Sequence, residues 1–276
     1  MPATGRTVVR WQLGQRLQRL RKSSGMKVAD IIAEAEMSKA HLYRIEEGTI
    51  PVNVKDIWAL CRVYRVDGQT TDELTRLAKG TTDRDWWEDY SDALGTGVSL
   101  FVGLEEVADE ILSYEAELVP GLFQVADYTR EVNRAERPNL TDSAISRRAD
   151  LRQERQRKVL ERAQPPRITA VLNAAVLTRQ VGGPGVMAAQ RRRLREFSAL
   201  DHVDIRVVPW NAGAHASMGK PFTILGFRDT AYPTVVHVDG RTGGKYMERR
   251  EHLDEYRETF DLVREKSVPL EEYDTS

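Results

Sequence analysis

Residues 28–46 read VADIIAEAEMSKAHLYRIE, and this stretch decides the fold of the N-terminal part of the chain. It contains two short helical patterns with a turn at Glu36-Met37 between them. In the second pattern, Leu42 and Ile45 recur at the spacing of one buried helical face, so the opposite face points outward. This spacing is that of a helix-turn-helix, whose second helix enters the major groove of DNA. A helical hairpin with a solvated, charged face is the alternative interpretation.

Five residues on the outward face of the second helix are predicted to contact DNA: Ser38, Lys39, Ala40, Tyr43 and Arg44. Ser38 is the expected N-cap, where its hydroxyl and the free backbone N–H groups can hold a phosphate. Arg44 is expected to read guanine O6 and N7, a contact worth about 1–3 kcal/mol of discrimination. Lys39 is expected to meet phosphate and Ala40 a thymine methyl group, while Tyr43 suits either task.

Three further helical patterns complete an all-α unit over residues 1–80. Leu13, Leu17 and Leu20 share one face of the first helix, which Gly25 follows. A fourth helix is expected from Asn53, and a fifth after Thr70, where Glu73 completes a capping box. Five short helices of these lengths favour the DNA-binding interpretation over the solvated hairpin.

The distribution of charge agrees with that interpretation. Residues 1–80 carry 14 Lys and Arg against 9 Asp and Glu, whereas the rest of the chain has a net charge of −6. A basic first domain beside an acidic second one fits double-stranded DNA as a partner of the first domain alone.

Composition limits the class of protein. The single cysteine, Cys61, excludes an internal disulfide framework and a cysteine-rich metal site. No apolar run approaches the ~20 residues of a membrane span, and the N-terminal residues show no secretory signal. We therefore expect a cytoplasmic protein that does not enter a membrane.

The rest of the chain predicts a mixed α+β domain over 86–276, after a polar linker at 81–85. One helix is expected over 103–116, because apolar residues from Leu104 to Leu112 share a helical face. Strands are expected at Ile168–Leu172, Val203–Val208, Phe222–Phe227 and Val235–Val238, with helices near 124–134, 143–162, 185–199 and 245–266. The helix between the first two strands favours parallel pairing, and the later short connections favour antiparallel neighbours. The sequence leaves the strand order open.

A loop, the histidines and a basic helix are the candidate functional features of the second domain. The loop Trp210–Pro221 is a candidate ligand or partner loop through Trp210, His215, Ser217 and Met218, with an ordered surface loop as the alternative. No nucleophile elbow accompanies His215 and Ser217, and the histidines lack metal-ligand spacing. We therefore predict no catalytic residue, no metal and no cofactor, and a protein that is not an enzyme. The basic helix around Arg147–Arg162 is expected to be solvated and to form i,i+4 ion pairs, with contact to DNA or to an acidic partner as the alternative.

Residues 10–80 resemble the XRE, or lambda-repressor/Cro-like, helix-turn-helix domain. The matching residues are Leu13–Arg21, Ser38, the run Arg44-Ile45-Glu46-Glu47-Gly48, and Pro51. The resemblance implies a structural ion pair between Arg21 and Glu46 that locks the first helix to the third. The sequence departs from the family at Glu36, where Gly is usual, and at Ile32, where a small residue is usual. A non-Gly residue in a left-handed turn at Glu36 costs about 1 kcal/mol or more.

A second resemblance covers nearly the whole chain. The run Leu118-Val119-Pro120-Gly121-Leu122-Phe123-Gln124-Val125-Ala126-Asp127-Tyr128 is similar to the actinobacterial WhiJ-like regulators, as are Trp86–Tyr90 and the Arg and Gln residues of the basic helix. Asn173 departs from this family, in which an acidic residue is expected. The resemblance implies a regulator of development or secondary metabolism, often paired with a small partner protein in an antitoxin-like arrangement.

Together these observations predict a sequence-specific transcription regulator that binds DNA as a homodimer. Dimerisation is expected because one such module has limited affinity, which a second half-site supplements. The C-terminal domain would sense a small partner protein or a small-molecule effector. The alternative is an antitoxin-like interaction module that neutralises a small partner, with DNA binding serving autoregulation.

Overall fold

The computed structural model describes residues 6–79, 86–90, 93, 98–228, 234–240 and 243–273. The expected linker at 81–85 lies outside this set. The chain divides into two compact units, Met1–Glu88 and Asp89–Ser276. A 3-10 helix, Trp86–Tyr90, spans the division between them.

The first unit is all-α, as predicted, and contains the five expected helices. These are α1 (Arg6–Ser24), α2 (Val28–Glu34), α3 (Lys39–Glu46), α4 (Val54–Tyr64) and α5 (Gly68–Lys79). Every helix contributes to a single core, in which Leu17, Ile31, Leu42, Leu60 and Leu74 are completely buried. Such a core supports five short helices that would be marginal alone, because burial of apolar faces supplies most of their stability.

The helix caps agree only in part with the expectation. Ser38 is the N-cap of α3, and its hydroxyl accepts a hydrogen bond from the backbone N–H of His41 at 3.1 Å. The capping box predicted at Thr70 is wrong, since α5 begins at Gly68 and Asp67 caps it. The Asp67 carboxylate accepts from both the backbone N–H and the hydroxyl of Thr70, each at 2.8 Å. Thr70 therefore lies inside α5, where both its backbone N–H and its hydroxyl donate to the capping residue Asp67.

Two glycines allow α1 to pack closely against α3 and the turn after it. A Cβ atom on Gly14, in the middle of α1, would lie 2.5 Å from the carbonyl oxygens of both Ile45 and Glu46. Gly48 follows α3 with a φ of +67°, and a Cβ atom there would lie 2.6 Å from the Cα atom of Trp11. Only glycine fits both requirements without moving backbone.

The second unit is the predicted mixed α+β domain, built on one seven-stranded sheet. Its strands are β1 (Glu110–Glu115), β2 (Arg167–Asn173), β3 (Val203–Val208), β4 (Phe222–Gly226), β5 (Val235–Val238), β6 (Lys245–Met247) and β7 (Val268–Pro269). The helices are α6 (Val98–Val107), α7 (Ala126–Glu136), α8 (Asp142–Leu160), α9 (Ala174–Thr178), α10 (Gly183–Ser198) and α11 (Arg250–Glu265). The strand order is β6-β5-β4-β1-β2-β3-β7. Strands β1, β2 and β3 are parallel, and the other pairings are antiparallel.

The prediction of a helix over 103–116 is wrong in its second half, which is a strand. Helix α6 ends at Val107, and Glu110–Glu115 is the central strand β1, paired with β2 on one edge and β4 on the other. A strand covered on both faces shows no polar and apolar alternation. Its apolar residues therefore matched a helical spacing by coincidence, and pairing with two neighbouring strands decided its conformation.

The strand pairing confirms part of the expected topology. Strands β2 and β3 are parallel, and β4 and β5 are antiparallel, as predicted. Strands β3 and β4, however, are not neighbours, because β1 and β2 lie between them. The helix expected over 245–266 also begins later, since Lys245–Met247 pairs with β5 as the edge strand β6.

Alternate residues of the sheet face two helical layers. Tyr114, Val171 and Phe222 pack with Phe260 and Val263 of α11 in one buried cluster. On the other face, α10 packs against β3 and α7, and α8 packs against α6 and α7. The sheet is therefore covered by α11 on one side and by the four longer preceding helices on the other.

Gly14→Ala should destabilise the first unit by about 1–3 kcal/mol, the usual cost of overpacking, despite the better helix propensity of alanine. The measurement is thermal or urea unfolding followed by circular dichroism. Gly68→Ala is the matched control, because a Cβ atom on Gly68 meets nothing within 4 Å. We expect this control to be neutral or slightly stabilising, and equal stability of the two variants would contradict the proposed close contact.

Candidate nucleic-acid interface

The structure brings the five predicted DNA-contacting residues to one face of α3. Ser38, Lys39, Ala40 and Arg44 are exposed and Tyr43 is half-buried, while Leu42 and Ile45 of the same helix are completely buried. The ammonium group of Lys39 lies 5.8 Å from the centre of the Tyr43 ring, within cation–π range. The face is thus polar, cationic and open to solvent.

Arg44 has its side chain free to reach outward. Within the part of the chain that the structure describes, its guanidinium forms no hydrogen bond and no ion pair. Its backbone carbonyl is occupied instead, accepting hydrogen bonds from the N–H of Thr49 at 3.0 Å and the hydroxyl of Thr49 at 3.1 Å. The hydrogen bonds from Thr49 therefore fix the backbone at the end of α3, while the guanidinium group of Arg44 stays available for a bidentate contact.

A contact that sequence reasoning missed joins the start of α3 to the start of α4. The Nε2 atom of His41 lies 3.1 Å from the Asp56 carboxylate. This brings the exposed residues Asn53 and Lys55 near the predicted interface, and the Asn53 side chain makes no capping hydrogen bond. The sequence marked Asn53 only as a helix start, so its position beside α3 depended on the fold.

The turn between α2 and α3 has the left-handed conformation that the family resemblance implies. Glu36 adopts a φ of +52° although it carries a side chain. Ile32 is half-buried and packs against the core, whereas Ile31 and Ala35 beside it are buried. The protein therefore accommodates both departures from the family pattern without losing the turn.

Arg21 and Glu46 form the expected structural pair. Nε of Arg21 donates to Oε1 of Glu46 at 2.6 Å, and Nη2 donates to Oε2 at 2.9 Å. The Glu46 side chain is 1% exposed, so the bidentate Arg21 guanidinium satisfies both of its buried oxygen atoms. The pair joins α1 to the last residue of α3 and sets the direction in which the outward face points.

The candidate loop between β3 and β4 divides into outward and inward residues. Trp210 is 65% exposed and Met218 is 61% exposed. His215 instead lies 3.3 Å from the hydroxyl of Tyr114, and its Nδ1 accepts the backbone N–H of Ser217 at 3.3 Å. The buried Ser217 hydroxyl donates to the carbonyl of Lys220 at 2.7 Å. His215 therefore does not face the Ser217 hydroxyl as a base would face a nucleophile.

The expectation of a solvated basic helix is wrong for one face of α8. Arg157 and Glu154 do form an exposed ion pair at 2.6 Å. On the other face, however, Arg155 forms a bidentate pair with the buried Glu105, and Arg152 donates to the side-chain oxygen of Gln124 at 2.8 Å. These basic residues are part of the interior of the second unit, because acidic and amide groups of other elements lie against them.

The segment Pro120–Gln124, which is the most specific part of the second resemblance, is a buried structural turn. Gln156 donates to the carbonyls of Gly121 at 3.0 Å and of Gln124 at 2.7 Å. From α10, Gln190 donates to the carbonyl of Phe123 at 2.7 Å and accepts the N–H of Val125 at 2.8 Å. Asn173, the departure from that family, caps α9 by accepting the N–H of Ala175 at 2.9 Å. All of these contacts are structural.

Glu46→Ala should cost about 3–5 kcal/mol, because it leaves the Arg21 guanidinium without the partner that compensates its partial burial. Denaturant unfolding measures this cost. Glu73→Ala is the matched control, since Glu73 forms a 3.3 Å ion pair with Arg16 in which both side chains are more than a third exposed. An exposed pair contributes about 0–1 kcal/mol. If both substitutions cost the same, the buried pair does not hold α1 to α3.

The described residues contain neither a metal-binding group nor a membrane-spanning helix. No group of three His, Cys, Asp or Glu side chains in them is arranged to hold a metal ion. None of the helices they form is long and apolar enough to cross a membrane.

Comparison with known families agrees with the division into two units. A helix-turn-helix domain model matches residues 12–74, which include the α3 face, and the model of a domain of unknown function, DUF5753, matches residues 98–272. No curated protein and no solved structure matches the chain. Because the second match covers more than half of its length, the chain belongs to the DUF5753 family, here preceded by a helix-turn-helix domain.

Proposed function

We propose that this protein is a sequence-specific transcription regulator that binds double-stranded DNA as a homodimer through the outward face of α3. The observation that carries the proposal is this face itself: four exposed residues and Tyr43 on a helix whose opposite side is completely buried. A recognition helix needs this combination, because base edges are read only by side chains held in a fixed direction. The match to a helix-turn-helix domain supports it.

The residues of the α3 face have different proposed tasks. Arg44, whose guanidinium has no described partner, is assigned to base reading in the major groove. Lys39 and the backbone N–H groups behind Ser38 are assigned to phosphate. Asn53 and Lys55 extend this phosphate contact, because the His41–Asp56 hydrogen bond brings the start of α4 beside the start of α3.

The homodimer is proposed from the energetics of DNA recognition. One module contacts a few base pairs and binds weakly, so two half-sites about one helical turn apart supply the needed affinity. Two copies of the α3 face would then read a site with two-fold symmetry. Footprinting and sedimentation on DNA of defined half-site spacing measure this arrangement.

The second unit is proposed to regulate DNA binding rather than to catalyse a reaction. The resemblance of the chain to XRE regulators and to the actinobacterial WhiJ-like proteins supports a sensory role for residues 86–276. The Ser217 hydroxyl and the His215 ring are engaged in internal hydrogen bonds, which favours a non-enzymatic role. A cytoplasmic location stays a prediction that accompanies this function.

A second candidate function is an antitoxin-like one, in which the second unit holds a small partner protein. The observation that favours it is the exposure of two large apolar side chains, Trp210 and Met218, on one loop. Exposed aromatic and methionine side chains are enriched at protein interfaces. In this case DNA binding would serve autoregulation.

Arg44→Ala should reduce affinity for the selected operator by about 1–3 kcal/mol and relax the sequence requirement at one base pair in each half-site. Lys39→Ala should weaken binding to all sequences alike and lower the slope of log K against log salt by about one unit. The measurement is a selection from random DNA, followed by titrations at several salt concentrations. Arg76→Ala, at an exposed position of α5, is the control and should bind as the unmodified protein does. Unchanged specificity in the Arg44 variant would refute the assignment.

The antitoxin-like function is tested on the same loop. Replacing Trp210 and Met218 together with Ser should release a small protein encoded beside this chain that otherwise copurifies in equal amount. The operator affinity of the isolated protein should stay unchanged. Stoichiometric copurification with the double variant would exclude this loop as the partner surface.

A further inference from the structure

A second group of charged residues lies at one end of the sheet in the second unit, where β1 ends and β4 begins. Strands β1 and β5 both pair antiparallel with β4, so they run in the same direction and their carboxyl ends lie at the same end of the sheet. Thr223 of β4 pairs with both Ser113 and His237. Glu115 and Asp239 each follow two residues later, so they lie on the same face at this end, on either side of β4.

Two arginines of α8 lie near enough to Glu115 for their charges to act on it, and both lie against Gly121. A Cβ atom on Gly121 would lie 3.1 Å from Nη1 of Arg152 and 3.1 Å from Nη2 of Arg155. Arg155 is compensated, since its guanidinium forms the bidentate pair with Glu105 and lies 5.2 Å from the centre of the Phe101 ring. The charge of Arg155 is thus compensated within the second unit by Glu105.

Arg152 has no such counter-ion. Its one hydrogen bond to a described residue goes to the neutral side chain of Gln124, and no carboxylate in the described ranges forms an ion pair with it. Burial lowers the pKa of Arg152 to about 10, with the neighbouring Arg155 charge acting in the same direction and the carboxylates of Glu105, Glu136 and Glu115 acting against it. A half-buried cation that forms no ion pair is costly, so this position favours an added anionic group.

Glu115 presents the opposite case. It forms neither a hydrogen bond nor an ion pair with any residue that the structure describes, and part of its side chain is open to solvent. Burial and the nearby Asp239 carboxylate raise the pKa of Glu115 to about 8, against the opposing charges of Arg152 and Arg155. Two carboxylates therefore lie on one side of the cluster, and an uncompensated guanidinium lies on the other.

The two connections that meet at this end of the sheet lie on opposite faces of it. After β1 the chain turns to the face of α7 and α8, whereas the connection into β4 places Ala212 in the cluster under α11. Glu115 is the last residue of β1 at this end.

We propose that this cluster binds a small zwitterion of the amino-acid class, whose acidic group pairs with Arg152 and whose ammonium group pairs with Glu115 and Asp239. A simple anion would leave Glu115 and Asp239 without a cation, and a simple cation would leave Arg152 without an anion. This ligand would be the signal in the proposed sensing role. Only its effect on DNA binding rests on that proposed function. Binding itself is a property of the second unit.

Binding of this ligand is coupled to a proton. An ammonium group pairs with the ionised form of Glu115, and with a pKa of about 8 most of the Glu115 population is protonated at pH 7. The charges that act on Glu115 are those of Asp239, just after β5, and of Arg152 and Arg155 on α8. The titratable hydroxyls of Tyr114 and Tyr128 also face Glu115, and Glu105 lies behind Arg155. Binding should therefore release a proton at pH 7 and become tighter as the pH rises from 7 to 9.

The experiment uses the full chain without DNA. The probes are the twenty common amino acids, β-alanine and γ-aminobutyrate, each tested by thermal unfolding and then by calorimetric titration. We expect at least one to raise the unfolding temperature, and its N-acetyl and carboxamide derivatives to lose the effect, since each lacks one of the two charges. Calorimetry in buffers of different ionisation enthalpy should show proton release at pH 7.

Two variants and two controls test the residues. Glu115→Gln and Arg152→Gln should each lower the affinity of the active probe about tenfold or more, as expected for a lost charged contact. Glu117→Gln and Arg157→Gln remove like charges from exposed neighbouring positions and should bind as the unmodified protein does. The proposal is overturned if no probe binds, if the N-acetyl derivative or inorganic phosphate binds equally well, or if Glu115→Gln leaves the affinity unchanged. None of these outcomes affects the DNA-binding test on Arg44, so the two proposals fail separately.

Glu115→Gln also has a predictable effect on stability that shows whether the variant folds. The pKa of Glu115 is raised above the ordinary value of 4.5, so its contribution to stability is fully present below pH 4.5 and is lost as the pH rises through about 8. Glutamine resembles the protonated acid and titrates nowhere. The variant should therefore be more stable than the unmodified protein at pH 9, as measured by urea unfolding, while Glu117→Gln shows no such gain.

Discussion

The buried ion pair between Arg21 and Glu46 is the constraint on which the proposed DNA-reading surface depends. Glu46 is the last residue of α3, and its carboxylate, which is almost completely excluded from water, accepts two hydrogen bonds from Arg21. The pair operates together with Gly14, whose missing side chain lets α1 approach the carbonyls at the end of α3. With one side of α3 held in this way, the exposed face has a single direction, which base reading requires.

A comparable constraint organises the second unit. The turn Pro120–Gln124 places its carbonyl groups in the interior, where water cannot satisfy them, and the side-chain amides of Gln156 and Gln190 donate to these carbonyls. The same turn contains Gly121, against which the guanidinium groups of Arg152 and Arg155 lie. Packing of the turn and placement of the charged cluster are thus consequences of one arrangement. This links the most specific sequence segment of the second unit to the proposed ligand site.

Sequence reasoning succeeded where local signals and global packing agree. The helices of the first unit have regular apolar spacing, a serine cap at Ser38 and a glycine stop at Gly48, and the structure has each of these features. It failed at β1, because a strand buried on both faces shows no alternation, and at α8, where alternating charges suggested solvation. The partners of those arginines are far away in the sequence: Glu105 is fifty residues from Arg155. A local sequence pattern cannot predict an ion-pair partner at such a distance along the chain.

Two domains, the number and order of the helices in the first and the outward residues of α3 follow from sequence alone, because they depend on periodicity and on short-range caps that act within a few residues. The Arg21–Glu46 pair follows from family resemblance. The three-dimensional fold was needed to show that β1 enters between β2 and β4 and that His41 joins α3 to α4. It was also needed to place Glu115 and Asp239 on either side of β4, near Arg152, which forms no ion pair with a described residue. These are pairings between distant segments, and their energies depend on burial and register that no single segment specifies.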